Sequence, residues 1–131
     1  MFEKLVKMLR ADGLDASEVY TVAGQYYDGA DHGQVFPVVQ VKVDFSVPFS
    51  VMDRICKRRG LVYDWRSCYG TGTRLYTVWR AEDREKARRL DDVARAFLDA
   101  FWMYRHEHGP EDQAGMIAAG RAAVAALGAA E

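Results

Sequence analysis

Histidine and carboxylate side chains could give this chain chemistry of its own. His106 and His108 are of a type that binds transition metals, but positions i and i+2 of a helix do not face one another. His32 lies with Asp28 and Asp31 in a predicted hairpin loop, where an acid–base pair or a cation site could form. A solvated helix end explains His106 and His108 better than a metal site does, and an ordinary turn explains the residues around His32 better than a catalytic role does. The sequence therefore predicts no metal site, no cofactor and no catalytic residues.

The cysteines point to no nucleophilic site either. Cys56 and Cys68 have no histidine and carboxylate at a recognisable catalytic spacing. Two single thiols in a chain of this length are more often small buried hydrophobic side chains than a redox pair. They indicate a reducing compartment, so we expect a cytoplasmic protein. A small enzyme with a site near His32 is our third interpretation.

One predicted sheet face could bind nucleic acid. It carries Lys42, Arg66, Arg74, Tyr76 and Arg80. The expected register places Arg66 opposite Tyr76, at a distance suited to a cation–π contact. RNA-binding modules stack bases on such faces, although they usually expose two or three aromatic rings. The alternative is a solvated face with cross-strand charge pairs, so nucleic-acid binding is our second interpretation.

A second surface lies at the end of a long predicted helix. Its aromatic residues spread more widely than the ~100° stripe that one sheet face can cover. Surfaces rich in methionine and aromatic residues are typical of protein interfaces, and burial under the last helix is the alternative. We select Phe101, Trp102 and Tyr104 as partner-binding residues. The expected partner is another protein or a second copy of the chain.

Hydrophobic periodicity predicts the elements that position these residues. The predicted order is α-β-β-α-β-β-α-α, an α+β class with a four-stranded antiparallel sheet. The helices are expected at 1–12, 47–59, 82–107 and 112–127, and the strands at 18–27, 36–45, 61–69 and 73–80.

The register of the last two strands follows from their apolar residues. A three-residue loop pairs Tyr69 with Thr73, and this register collects the larger apolar side chains on one face. The predicted sheet order is 18–27, 36–45, 73–80, 61–69. A right-handed crossover then places helices 47–59 and 82–107 on the same face, in a plan that resembles a circularly permuted ferredoxin-like fold.

Composition sets the broad class of the protein. The chain has 131 residues and a net charge of −1, which favours one α+β domain over 1–131 and argues against a globally basic nucleic-acid binder. No apolar run approaches the ~20 residues that span a bilayer, so no membrane partner is expected. Arginine outnumbers lysine 13 to 5, which suggests a GC-rich bacterial or phage genome.

Our first interpretation is a small non-catalytic protein-binding domain. It could be an inhibitor or adaptor encoded by a phage or another mobile element. Trp102→Ala should then weaken association with a partner or with a second copy, because buried aromatic anchors dominate interface energies. Sedimentation and circular dichroism test this prediction together. Unfolding of the variant would assign Trp102 to the core of its own chain.

Overall fold

Helices and strands follow one another in the predicted order, and the α+β class is confirmed. A computed structural model of the chain describes residues 1–24, 33–68, 70–108 and 113–129, with the backbone alone at 101, 103–108, 113, 128 and 129. The described elements are α1 (Glu3–Ala11), β1 (Asp15–Val22), β2 (Val35–Asp44), α2 (Phe49–Arg58), β3 (Leu61–Cys68), β4 (Thr73–Arg80), α3 (Ala81–His108) and α4 (Gln113–Ala129).

The residues group into two compact units. The first unit comprises Met1–Thr21 and Pro37–Arg84, and the second comprises Val22–Phe36 and Glu85–Glu131. The first unit therefore contains α1, α2, β3, β4 and most of β1 and β2. The second contains α4 and all of α3 beyond its first turn. The expectation of one domain over 1–131 stays a prediction.

The four strands form an antiparallel sheet in the order β1-β2-β4-β3, which confirms the predicted strand order. β4 is a central strand, and four of its eight residues are buried: Leu75, Tyr76, Val78 and Trp79. Leu75 and Trp79 point to one sheet face and Tyr76 and Val78 to the other, so β4 is apolar on both. β1 covers Asp15–Val22 and not 18–27, and residues 25–27 lie outside the described part of the chain.

The predicted register of β3 and β4 is wrong by one residue. Cys68 pairs with Thr73, and Trp65 lies opposite Tyr76 where Arg66 was expected. The loop has four residues, and Gly70 and Gly72 supply its left-handed conformations, with φ of 82° and 67°. The prediction assumed one apolar face. Because β4 is apolar on both faces, alternation of residue types does not determine the register.

Helices contact both faces of the sheet, whereas they were expected on one. Tyr63 points to the face of α2, since its hydroxyl donates to Asp53. Asp64 points to the opposite face, where Arg84 in the first turn of α3 donates to both of its carboxylate oxygens at 2.5 and 2.7 Å. α2 and the first turn of α3 thus lie on opposite faces. Val38, Leu75 and Trp79, also on the second face, are buried.

The core of the first unit lies between the sheet and the helices α1 and α2. α1 buries Leu5, Val6 and Leu9 at the spacing of one helical face, and α2 buries Met52 and Cys56. They pack against the buried side chains of the strands, which are Ala16, Val39, Val41, Val43, Tyr76 and Val78. This core holds α2 over β3 and β4.

In the second unit, small residues allow close packing of α4. A Cβ added at Gly120 would lie 2.6 Å from Cε2 of the Phe97 ring, and one added at Gly24 would lie 3.0 Å from Cγ1 of Val124. The Gly24 amide also donates to the Asp91 carboxylate at 3.1 Å. Phe97, Leu90 and Val124 are buried. Gly120 therefore sits where no side chain fits.

Gly120→Ala should lower the free energy of unfolding by about 1–3 kcal/mol, because the new methyl group overpacks against Phe97. Gly115→Ala, in the same helix, is the matched control. Among the described residues no heavy atom lies within 4 Å of its added Cβ, so it should stabilise by about 0.5–1 kcal/mol through helix propensity. Urea unfolding of both variants measures the difference. Equal stabilisation by the two substitutions would contradict the packing of Gly120 on Phe97.

Candidate binding site

One cation surrounded by aromatic rings is the most distinctive side-chain arrangement in the first unit. The Arg74 guanidinium carbon lies 4.1 Å from the ring centre of Phe49, 5.4 Å from that of Phe45 and 5.9 Å from that of Trp65. Phe49 and Trp65 also contact edge to face, with ring centres 5.0 Å apart. We call these four residues the arginine–aromatic cluster.

The turn from β2 into α2 positions two of the rings. The Phe45 amide donates to the Gly72 carbonyl at 3.0 Å, which ties the end of β2 to the β3–β4 loop. The Asp44 carboxylate then accepts the Ser46 amide at 2.8 Å, as in an Asx turn. Pro48 is extended at the N-cap of α2, and Phe49 is the first helical residue. The chain thus reverses between the two phenylalanines and brings both to Arg74.

The strand register positions the other two residues. Trp65 lies opposite Tyr76, and Arg74 lies two residues before Tyr76 on the same face. The Arg74 side chain crosses towards α2, where its Nη1 donates to the Val47 carbonyl at 2.8 Å. A guanidinium has five N–H donors, so this contact fixes the group without using all of them.

The rings of the cluster differ in exposure. Phe45 is 46% exposed and Trp65 is 49% exposed, while Phe49 is partly buried. Two half-exposed rings beside a cation can stack against a planar or apolar group of a ligand, and the cation can bind its negative charge. The cluster therefore combines an apolar and a cationic component in one exposed place.

A second layer of aromatic residues supports the cluster. Tyr76 is completely buried, with its ring 6.1 Å from Phe49 and 5.0 Å from Tyr63. Its hydroxyl forms no hydrogen bond of normal length among the described residues. Burial raises the pKa of Tyr76, and the nearby Arg74, through its charge and a weak hydrogen bond to the hydroxyl, opposes part of this shift. The layer holds Phe49 and Arg74 in place.

Tyr63 connects this layer to α2. Its hydroxyl donates to Asp53 at 2.5 Å, and this hydrogen bond raises the pKa of Tyr63 to about 12. The hydroxyl therefore stays protonated at physiological pH and acts as a donor. Burial raises the pKa of the neighbouring Cys56 thiol to about 11, so this cysteine is unreactive. These groups stabilise the site and offer no acid–base chemistry at neutral pH.

The cluster lies in a basic part of the chain. Residues 45–80 contain two acidic and seven basic side chains, a net charge of +5, whereas the whole chain carries −1. The basic residues are Arg54, Lys57, Arg58, Arg59, Arg66, Arg74 and Arg80. The charge is thus concentrated in the region that contains α2, β3 and β4.

The five residues predicted to bind nucleic acid do not share one face. Lys42 and Arg66 flank Leu75 in one cross-strand row, and both are exposed. Arg74 is on the opposite face near the same end of the sheet. Tyr76 is buried and unavailable to a ligand. Arg80 lies at the far end of β4, where it pairs with Asp83 at 2.8 Å. The one-residue register shift explains why Arg66 is not on the face of Arg74, and the pairing of β2 with β4 places Lys42 on the Leu75 face.

The predicted partner-binding residues are only partly described. Trp102 is 50% exposed, and the side chains of Phe101 and Tyr104 lie outside the described residues. The same holds for His32 and for the side chains of His106 and His108. Among the side chains that are described, no three His, Cys, Asp or Glu residues group into a metal site.

Sequence reasoning missed Phe45, Phe49 and Trp65 as functional candidates. Phe45 and Trp65 continue alternating apolar patterns, which normally indicate burial. The local charge of residues 45–80 was a usable signal, but the average over the whole chain hides it. The two phenylalanines on either side of the predicted strand–helix turn were a second and weaker signal.

The chain matches no protein-family model, no curated protein and no solved structure. Of the helices that the structure describes, none combines the length and the apolar character needed to span a membrane.

Tyr76→Phe should raise the free energy of unfolding by about 1 kcal/mol, because it removes a buried hydroxyl that lacks a normal hydrogen bond. Tyr63→Phe is the matched control on the neighbouring ring. It removes a donor to Asp53 and should lower stability by about 0.5 kcal/mol, since that hydrogen bond is exposed. Chemical denaturation measures both effects. Loss of 1 kcal/mol or more in Tyr76→Phe would show that its hydroxyl has a stabilising partner.

Proposed function

We propose that this protein is a non-catalytic domain that binds single-stranded nucleic acid through the arginine–aromatic cluster. The observation that carries the proposal is the pair of half-exposed rings, Phe45 and Trp65, whose centres lie 5.4 and 5.9 Å from the Arg74 guanidinium carbon. A single strand offers unstacked bases and phosphates together, and these are the groups that such a surface complements.

Base stacking would supply one part of the affinity. Stacking of a base on an aromatic side chain contributes about 1–3 kcal/mol and does not depend strongly on base identity. Duplexes hide their base faces, so the rings favour a single strand over a double strand. The contact of Trp65 with Phe49 limits the motion of its ring and reduces the entropy lost on binding.

Electrostatic attraction would supply the other part. Arg74 can donate to a phosphate beside the rings. If Arg74 neutralises one phosphate, it should contribute about −0.7 to the slope of the logarithm of the binding constant against the logarithm of salt concentration. Lys42 and Arg66 lie on the opposite face of the sheet and add positive charge near the same end. The charge of +5 on residues 45–80 also favours the approach of a polyanion.

A protein interface on α3 is the second candidate function. Half-exposed Trp102 lines a groove of about 470 Å³ in the second unit, beside Leu98, Arg95 and Asp99. An inhibitor or adaptor from a phage or another mobile element would use such a surface. The free thiols of Cys56 and Cys68 support a cytoplasmic location for either function.

Trp65→Ala should weaken binding of a labelled single-stranded oligonucleotide of about 12 nucleotides by roughly tenfold or more, because it removes a stacking ring. Arg74→Met should weaken binding and also make the salt slope less negative by about 0.7, the contribution of one phosphate contact on a single strand. Fluorescence anisotropy over a series of salt concentrations measures both quantities. Circular dichroism confirms that each variant is folded.

Tyr20→Ala is the matched control, since Tyr20 is 71% exposed but lies on β1, outside the basic segment. It should bind like the unmodified chain. Equal binding of Trp65→Ala and Tyr20→Ala would overturn the proposed site. A poly-glutamate peptide that competes as well as the oligonucleotide would show that the cluster recognises an acidic protein segment and not bases.

A further inference from the structure

The two edges of the sheet are protected to different extents. On β1, the Arg10 side chain of α1 donates to the Ala16 carbonyl at 2.7 Å. β3 is the opposite edge, and among the described residues no side chain binds its backbone between 61 and 67. It has eight residues and contains no proline or lysine. An edge strand of this kind is open to pairing with another strand.

We propose that β3 pairs with β3 of a second copy of this chain, in antiparallel orientation, and so joins two sheets into one. The two-fold axis of such a pair is perpendicular to the sheet and passes through one residue position. Each face then continues across the pair, and residues placed symmetrically about that position lie opposite one another.

The charges on β3 select one position for the axis. An axis at Asp64 or at Arg66 places two like charges directly opposite, which is unfavourable. An axis at Tyr63 places Asp64 opposite the uncharged Val62, so the carboxylate meets no positive charge there. An axis at Trp65 places Asp64 of each copy opposite Arg66 of the other and sets the two Trp65 rings side by side.

The structure holds these side chains in suitable positions. Arg84 fixes the half-exposed Asp64 carboxylate through two hydrogen bonds, which leave lone pairs for a further donor. Arg66 is exposed, and Trp65 is 49% exposed. Pairing also brings together two segments of charge +5, so it should be weakest at low ionic strength.

Disulfide trapping tests the register directly. In a Cys68→Ser background, Trp65→Cys places two thiols opposite one another at the axis, within the Cα separation that a disulfide requires. Ser67→Cys is the matched control on the same strand face. Its two thiols would lie about 13 Å apart along the strands, too far to join. Both variants are oxidised with glutathione disulfide, without nucleic acid, at an ionic strength of about 0.5 M.

The Trp65→Cys variant should form a covalent dimer roughly tenfold faster than the Ser67→Cys variant, because pairing raises the effective concentration of its thiols. Equal rates would overturn the proposed register. Sedimentation of the unmodified chain and of Arg66→Glu gives a second measurement. The unmodified chain should sediment as a dimer and Arg66→Glu as a monomer. A monomeric unmodified chain would overturn the pairing, whatever the outcome of the nucleic-acid experiments.

Discussion

The two apolar faces of β4 are the constraint on which the rest of the first unit depends. Leu75 and Trp79 point to one side of the sheet, and Tyr76 and Val78 point to the other. Both faces are therefore shielded from water; α2 contacts one of them and the first turn of α3 contacts the other. The same strand carries Arg74, so its placement between β2 and β3 also determines which aromatic rings meet the guanidinium.

The sequence predicts the elements of this protein better than their pairing. The apolar stripe of α1 and the alternation of β2 are strong local signals, and both elements lie where expected. The register of β3 and β4 needed the length of the glycine-containing loop, and β4 gave no help because every register buries some of its apolar residues. That error of one residue placed Tyr76 on an open face and hid the contact between Arg74 and Trp65.

The candidate site was hidden for a related reason. Phe45 and Trp65 are apolar residues in alternating patterns, and such patterns are normally evidence of burial. Their partial exposure comes from their place at the end of one strand and on an edge strand, and this is a property of the topology. The arginine beside them explains how the rings tolerate that exposure, since its planar cation packs against their faces and is itself hydrated.

The close contact of Gly120 with Phe97 has a consequence for how α4 finds its place. The helix is rich in alanine, and its apolar residues do not concentrate on one side, so hydrophobicity alone would let it rotate or slide along a neighbour. The space left by Gly120 accepts the Phe97 ring at one position along the helix axis, and Val124, one turn further on, packs against Gly24. Shape, and not apolar area, thus gives this nearly uniform helix a single docking position.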